Sequence, residues 1–267
     1  MSNIKYANKT ALWIIIINLA ITVSCSFFPL VVGELTASLI TSLIALYIAK
    51  QGQIKIPVAR PKMKATLLCI SIAITGFPIA FFLNYLGTRL GSSGAAISEN
   101  PYTLWQAILV MAIFPAIAEE ITFRGLLQGA FMKESVGYSI LFSSLYFAVI
   151  HSNISAALYA FFYGCLFAII RIATGNLIYT MIMHVSFNLL NVCLAYLGTD
   201  ISLSSGWMIA LGVFISLLFF IILGCFLYHN NISFNESKRP IKSIITTEGV
   251  VALGICFFIM ITFTILR

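Results

Sequence analysis

Charge is what this sequence has least of. Only 9% of its 267 residues are Asp, Glu, Lys or Arg, against about 25% in soluble domains. With 61% hydrophobic residues and a mean hydropathy of +1.04, a water-soluble globule is excluded and lipid is the solvent for most of the chain. Acidic groups are scarcest, eight in all, and Asp200 is the one aspartate. Cysteines 25, 69, 165, 193, 225 and 256 lie singly in apolar segments, and none forms Cys-x-x-Cys. They read as reduced packing residues rather than a disulfide framework. There is no internal repeat, no low-complexity stretch and no room for a sizeable soluble domain.

What is present is a series of apolar runs, near 11–32, 35–49, 65–86, 103–131, 137–151, 154–170, 177–197, 207–228 and 244–266. Open strands cannot span lipid, so each run reads as a helix. A span takes about 20 residues. The expectation is an all-α, polytopic transmembrane bundle of eight to nine spans, a single membrane domain over 1–267. Thr22-Val23-Ser24-Cys25 fits a lipoprotein cleavage box poorly, so the first run reads as a retained helix. The segment 50–64 holds Lys50, Lys55, Arg60, Lys62 and Lys64 with Pro57 and Pro61, which marks a connector outside the membrane. The net charge of +7 does not point to nucleic acid, because the basic residues sit in short loops between runs. A cytoplasmic N-terminus places twelve of the fifteen Lys and Arg inside, Arg89 and Arg267 outside and Arg124 within a span, as the positive-inside rule favours.

Against this background, ionisable groups inside the runs are conspicuous, since each is costly in lipid and usually faces the bundle interior. Glu119 and Glu120 are adjacent in the fourth run. Arg124 follows Glu120 by one turn and can pair with it, which is also the bland reading of the cluster as a packing salt bridge. Glu119, about 100° round an ideal helix, is left over and freer to act. His151 ends the fifth run, one turn after Phe147. His184 and Asn188 share a face of the seventh, whereas His229 reads as a solvated residue at a helix end.

Hydrolysis of a peptide bond needs a base for water and donors for the oxyanion. Glu119 with His151 can hold and deprotonate a water. His184 and Asn188 can donate to the oxyanion, and Glu120 with Arg124 can brace the helix. Other designs lack parts. There is no His-Glu-x-x-His, no second aspartate for an aspartyl dyad and no Gly-x-Ser-x-Gly. Ser152 and Ser186 lie beside the histidines in sequence, so on a helix they point elsewhere.

Glu119-Glu120-x-x-x-Arg124, Phe147-x-x-x-His151 and His184-x-x-x-Asn188, in this order on successive runs, resemble the motifs of the CAAX protease and bacteriocin-processing family (CPBP, or Abi), which includes the Ras-converting CAAX endopeptidase. The resemblance runs from Pro115 to Asn191, a core at about 115–191. It implies an intramembrane endopeptidase with Glu119 as base, His151 as its partner on the water, and His184 and Asn188 as oxyanion donors. Glu120, Arg124 and Phe147 are the supporting motif residues. No cofactor is favoured. If zinc were bound, Glu119, His151 and His184 would match the three-ligand count of a catalytic site.

The expected substrate is a membrane-associated peptide or protein, such as a pheromone or bacteriocin precursor or a lipidated segment. The expected setting is the bilayer of a bacterial plasma membrane, with a membrane-protein partner possible and no nucleic acid. The competing readings are a non-catalytic immunity or scaffold protein that binds another membrane protein, and a small transporter with a proton site at Glu119–Glu120. Transporters often carry repeats, and none is visible. Depth is the loose end. Glu119 and His184 both fall in the inner half, about 24 Å from the outer start and about 10 Å from the inner start of their runs at 1.5 Å per residue. His151 falls in the outer half unless its helix starts late or tilts.

Overall fold

The computed structural model describes residues 3–90, 101–198, 206–230 and 246–265. Lys238, Arg239, Lys242, Arg267 and Asp200 lie outside them. The described residues form nine helices: α1 (Asn3–Cys25), α2 (Leu30–Gln51), α3 (Met63–Arg89), α4 (Leu104–Met132), α5 (Val136–Val149), α6 (Ile154–Thr174), α7 (Leu177–Tyr196), α8 (Gly206–Asn230) and α9 (Thr247–Ile265). The chain is an integral, multi-pass membrane protein. Seven of these helices are long and apolar enough to cross a bilayer, while Val136–Val149 and Thr247–Met260 are shorter. Large apolar side chains such as Leu39, Leu43, Phe82, Phe214 and Phe220 stand exposed on the outer surface, as a lipid-facing exterior requires.

Each apolar run corresponds to one helix, with one boundary corrected. The run 11–32 is not a single helix: α1 begins at Asn3 and stops at Cys25, and Pro29 caps the start of α2. Proline sets its own φ and has no N–H to donate, so a continuous apolar stretch is divided here by backbone chemistry.

Two helices are irregular. Gly76 is at once the last cap of one half of α3 and the first of the other. Pro78 follows it, and the Tyr163 hydroxyl donates to the Ala73 carbonyl at 2.6 Å beside the break. In α4, π-helical segments at Ile108–Ile113 and Glu120–Leu127 flank an α-helical turn that contains Pro115. Pro115 cannot continue the i→i−4 ladder, and π segments are the irregularity that recurs at functional sites.

The loop after α2 is tied to the turn between α6 and α7. Leu177 N–H donates to Pro57 O at 2.8 Å, the Asn176 amide exchanges two hydrogen bonds with Ala59, and Lys62 N–H donates to the Tyr179 hydroxyl. The Lys133 ammonium donates to Gly52 O at 3.0 Å. The basic residues of 50–64 and Lys133 are thus gathered at one end of the bundle.

One buried cluster packs α1, α2, α4, α5 and α9 with the start of α6, with Phe123, Phe131, Phe147 and Ala160 among its members. A second packs α3, α6, α7 and α8 around Tyr163, Phe167, Met183 and Phe187. The polar residues of α4 and α7 meet at the seam between the two.

Candidate active site

Glu120 and Arg124 are fully buried and lie 3.6 Å apart one turn along α4. Arg124 also donates from Nη2 to Gly164 O on α6 at 3.2 Å. Its guanidinium lies over the Phe147 ring, 4.2 Å from the centroid, a cation–π contact worth about 2 kcal/mol when desolvated. Gly164 makes the approach of α5 and α6 possible, since a Cβ there would stand 3.0 Å from that of Ser144. One turn further on, Gln128 repeats the arrangement, donating from Nε2 to Ala168 O at 3.0 Å.

His184 is held more tightly than its spacing foretold. Nδ1 lies 3.1 Å from Glu120 Oε1 and Nε2 lies 3.6 Å from Glu119 Oε2. The imidazole therefore sits between the two carboxylates, packed against Phe167 at 5.0 Å and Phe147 at 5.7 Å between ring centroids. Glu120 is paired with His184 as well as with Arg124, and the histidine is the nearer of the two. Glu119 faces a cavity with 28% of its side chain accessible.

His151 is placed by the end of α5. This helix has only 14 residues, about 21 Å at 1.5 Å per residue, less than the roughly 30 Å of the hydrocarbon core. Its end brings His151 to the same cavity as Glu119 and His184. Ser152 takes a left-handed φ of 55°, and Asn153 then caps α6, accepting from Ser155 N–H at 2.8 Å. A left-handed non-glycine costs of order 1–3 kcal/mol, and here it turns the chain immediately after the histidine. His151 Nδ1 lies 2.8 Å from Phe147 O. A carbonyl only accepts, so Nδ1 carries the hydrogen and the neutral ring presents the Nε2 lone pair.

Glu119, His151, His184 and Asn188 all line one cavity of about 480 Å³ between α4, α6 and α7. Glu120 and Arg124 lie behind its wall, and Phe147 forms part of that wall. The Asn188 amide makes no hydrogen bond to another described residue. Tyr159, Tyr163 and Asn191 also line the cavity, and the motif reading did not include them. Asn191 had a readable signal, since it follows His184 by seven residues on the same helix face. His229 lies exposed in the last turn of α8, away from the cavity.

Among the described residues, no three His, Cys, Asp or Glu side chains are grouped so as to hold a metal ion.

Residues 101–190 match the family model of the Rce1-like type II CAAX prenyl endopeptidases. The match is consistent with the CPBP resemblance and overlaps the motif-bearing segment 115–191. The Rce1-like segment holds α4 to most of α7, and so every side chain of the four-residue cavity cluster. No curated protein and no solved structure matches the chain.

Proposed function

We propose that this protein is an intramembrane endopeptidase that uses side chains alone to hydrolyse a peptide bond of a membrane-associated substrate. The observation that carries this reading is His184 held between two carboxylates at the wall of a cavity that also holds His151 and Asn188. The set is charge-balanced. Nδ1 donates to Glu120, and a lone pair on Nε2 facing a Glu119 carboxylate 3.6 Å away would be repulsive, so Nε2 carries a hydrogen as well. With that proton on His184, two anions face two cations, which is how ionisable groups persist in lipid.

Glu119 takes a proton from water while the His151 Nε2 lone pair accepts the water's other hydrogen. The hydroxide attacks the carbonyl carbon, and the developing oxyanion receives hydrogen bonds from His184 Nε2–H and the Asn188 amide. At 3.6 Å from Glu119 the Nε2–H is beyond an ordinary hydrogen bond and is available to the oxyanion. Glu119 then passes its proton to the leaving amine as the C–N bond breaks.

A peptide with a lipidated or apolar anchor suits a site enclosed by membrane helices, and a prenylated C-terminal segment is the substrate class that the matched family's description names. The cytoplasmic end is the end of the 50–64 loop, by the positive-inside rule. The experiment is to place purified protein in lipid vesicles with anchored peptides and identify fragments by mass spectrometry, with and without chelator. Cleavage that persists under chelation and disappears in His184→Ala is expected. Cleavage unchanged in His184→Ala would refute the reading, and loss on chelation restored by zinc would refute its metal-free form.

A further inference from the structure

A second, smaller cavity of about 160 Å³ adjoins the first. The two share Tyr159, Phe187 and Asn191 as walls, and the smaller adds Asn84, Phe77 and Phe81 from the second half of α3. It is below the roughly 300 Å³ at which independent ligand pockets begin. At about 30 Å³ per water it holds the equivalent of some five waters, enough for one residue of a longer ligand.

Its polar groups are unusual for a membrane helix pair. The Asn84 amide makes no hydrogen bond to another described residue, and Asn191 uses only Nδ2, donating to Phe187 O at 2.9 Å. Asparagines in membrane helices ordinarily hydrogen-bond across to a neighbour, whereas here Asn84 is half-buried and Asn191 exposed, and both line this space with amide groups open to a ligand. These two face the same small space and do not bond to each other. A primary amide offers both a donor and an acceptor, the complement of a peptide group, which has no water to pair with in lipid.

The register fits as well. His184, Asn188 and Asn191 fall at i, i+4 and i+7 on one face of α7. Seven residues of helix rise about 10.5 Å, the length of about three extended residues at 3.3 Å each. We propose that Asn84 and Asn191 form a substrate subsite that hydrogen-bonds the main chain of an extended peptide about three residues from the scissile bond. The subsite rests on the peptidase reading and extends it.

The test compares Asn84→Leu and Asn191→Leu with wild type on two anchored peptides, one extending at least four residues on each side of the cleaved bond and one cut to two. On the long peptide each variant raises KM about tenfold, the size of one hydrogen bond, with kcat within about twofold. On the short peptide neither changes. N-methylation of the long peptide two to four residues from the bond weakens wild type and not Asn84→Leu, a coupling that a purely structural role would not produce. Equal KM on the long peptide, a fall in kcat alone, or equal effects on both peptides overturns the subsite. Absence of cleavage by wild type itself refutes the peptidase reading instead.

Discussion

Two polar regions inside this bundle are built on opposite plans. Along α4, Glu120, Arg124 and Gln128 form a fully buried column, each tied to a neighbour: Glu120 to Arg124 and His184, Arg124 to Gly164 O, and Gln128 to Ala168 O. Across the seam, His151, Asn188, Asn191 and Asn84 line open space, with acceptors and amides left over. The column's hydrogen bonds join α4 to α6 and fix His184, with buried atoms such as Arg124 Nε and Gln128 Oε1 left over. The cavity wall keeps its polarity for something else. Glu119 and Glu120 mark the border, since adjacent residues of one type fall into the two regions.

If that contrast is right, damage to the column costs stability and damage to the wall costs activity. The largest stability effect is expected from Arg124→Ala, which leaves Glu120 and its imidazole partner with an uncompensated buried charge. Such breaks cost about 3–5 kcal/mol, read as a lower unfolding temperature in detergent. The double variant Glu120→Leu/Arg124→Met recovers most of that loss while remaining inactive, because His184 is no longer oriented. A double variant as unstable as the single one would break the comparison.

On the wall, Asn188→Ala removes the amide we assign to the oxyanion. A 10²–10³-fold fall in kcat is expected, by analogy with other oxyanion sites, at unchanged unfolding temperature. A fall explained by instability would place Asn188 with the column. The smallest effect belongs to Gln128→Leu, one side-chain bond between membrane helices, worth about 0.6 kcal/mol, with activity retained. Loss of activity there would move the border of the site inward along α4.

Much of this was legible in the sequence, because the decisive relations are local. Glu120 and Arg124 meet at i,i+4, as do Phe147 with His151 and His184 with Asn188, so helix geometry alone places each pair. What was not legible depends on tertiary placement. His184 lies between carboxylates 64 residues away, and no spacing encodes that. The placement of His151 at the cavity follows from where α5 stops, and Ser152 gives no composition signal for its left-handed turn. Asn84 stands in a helix with no motif, and only packing brings it beside Asn191.

The central claim is that Glu119, the accessible carboxylate of the pair, activates the water. Its direct test is the cleavage rate of an anchored peptide by wild type and Glu119→Gln in the same vesicles, with unfolding temperature measured alongside. The expected result is a rate lower by about 10²–10⁴-fold, the usual contribution of a general base, at an unfolding temperature close to wild type. A Glu119→Gln protein that cleaves at the wild-type rate would contradict the account.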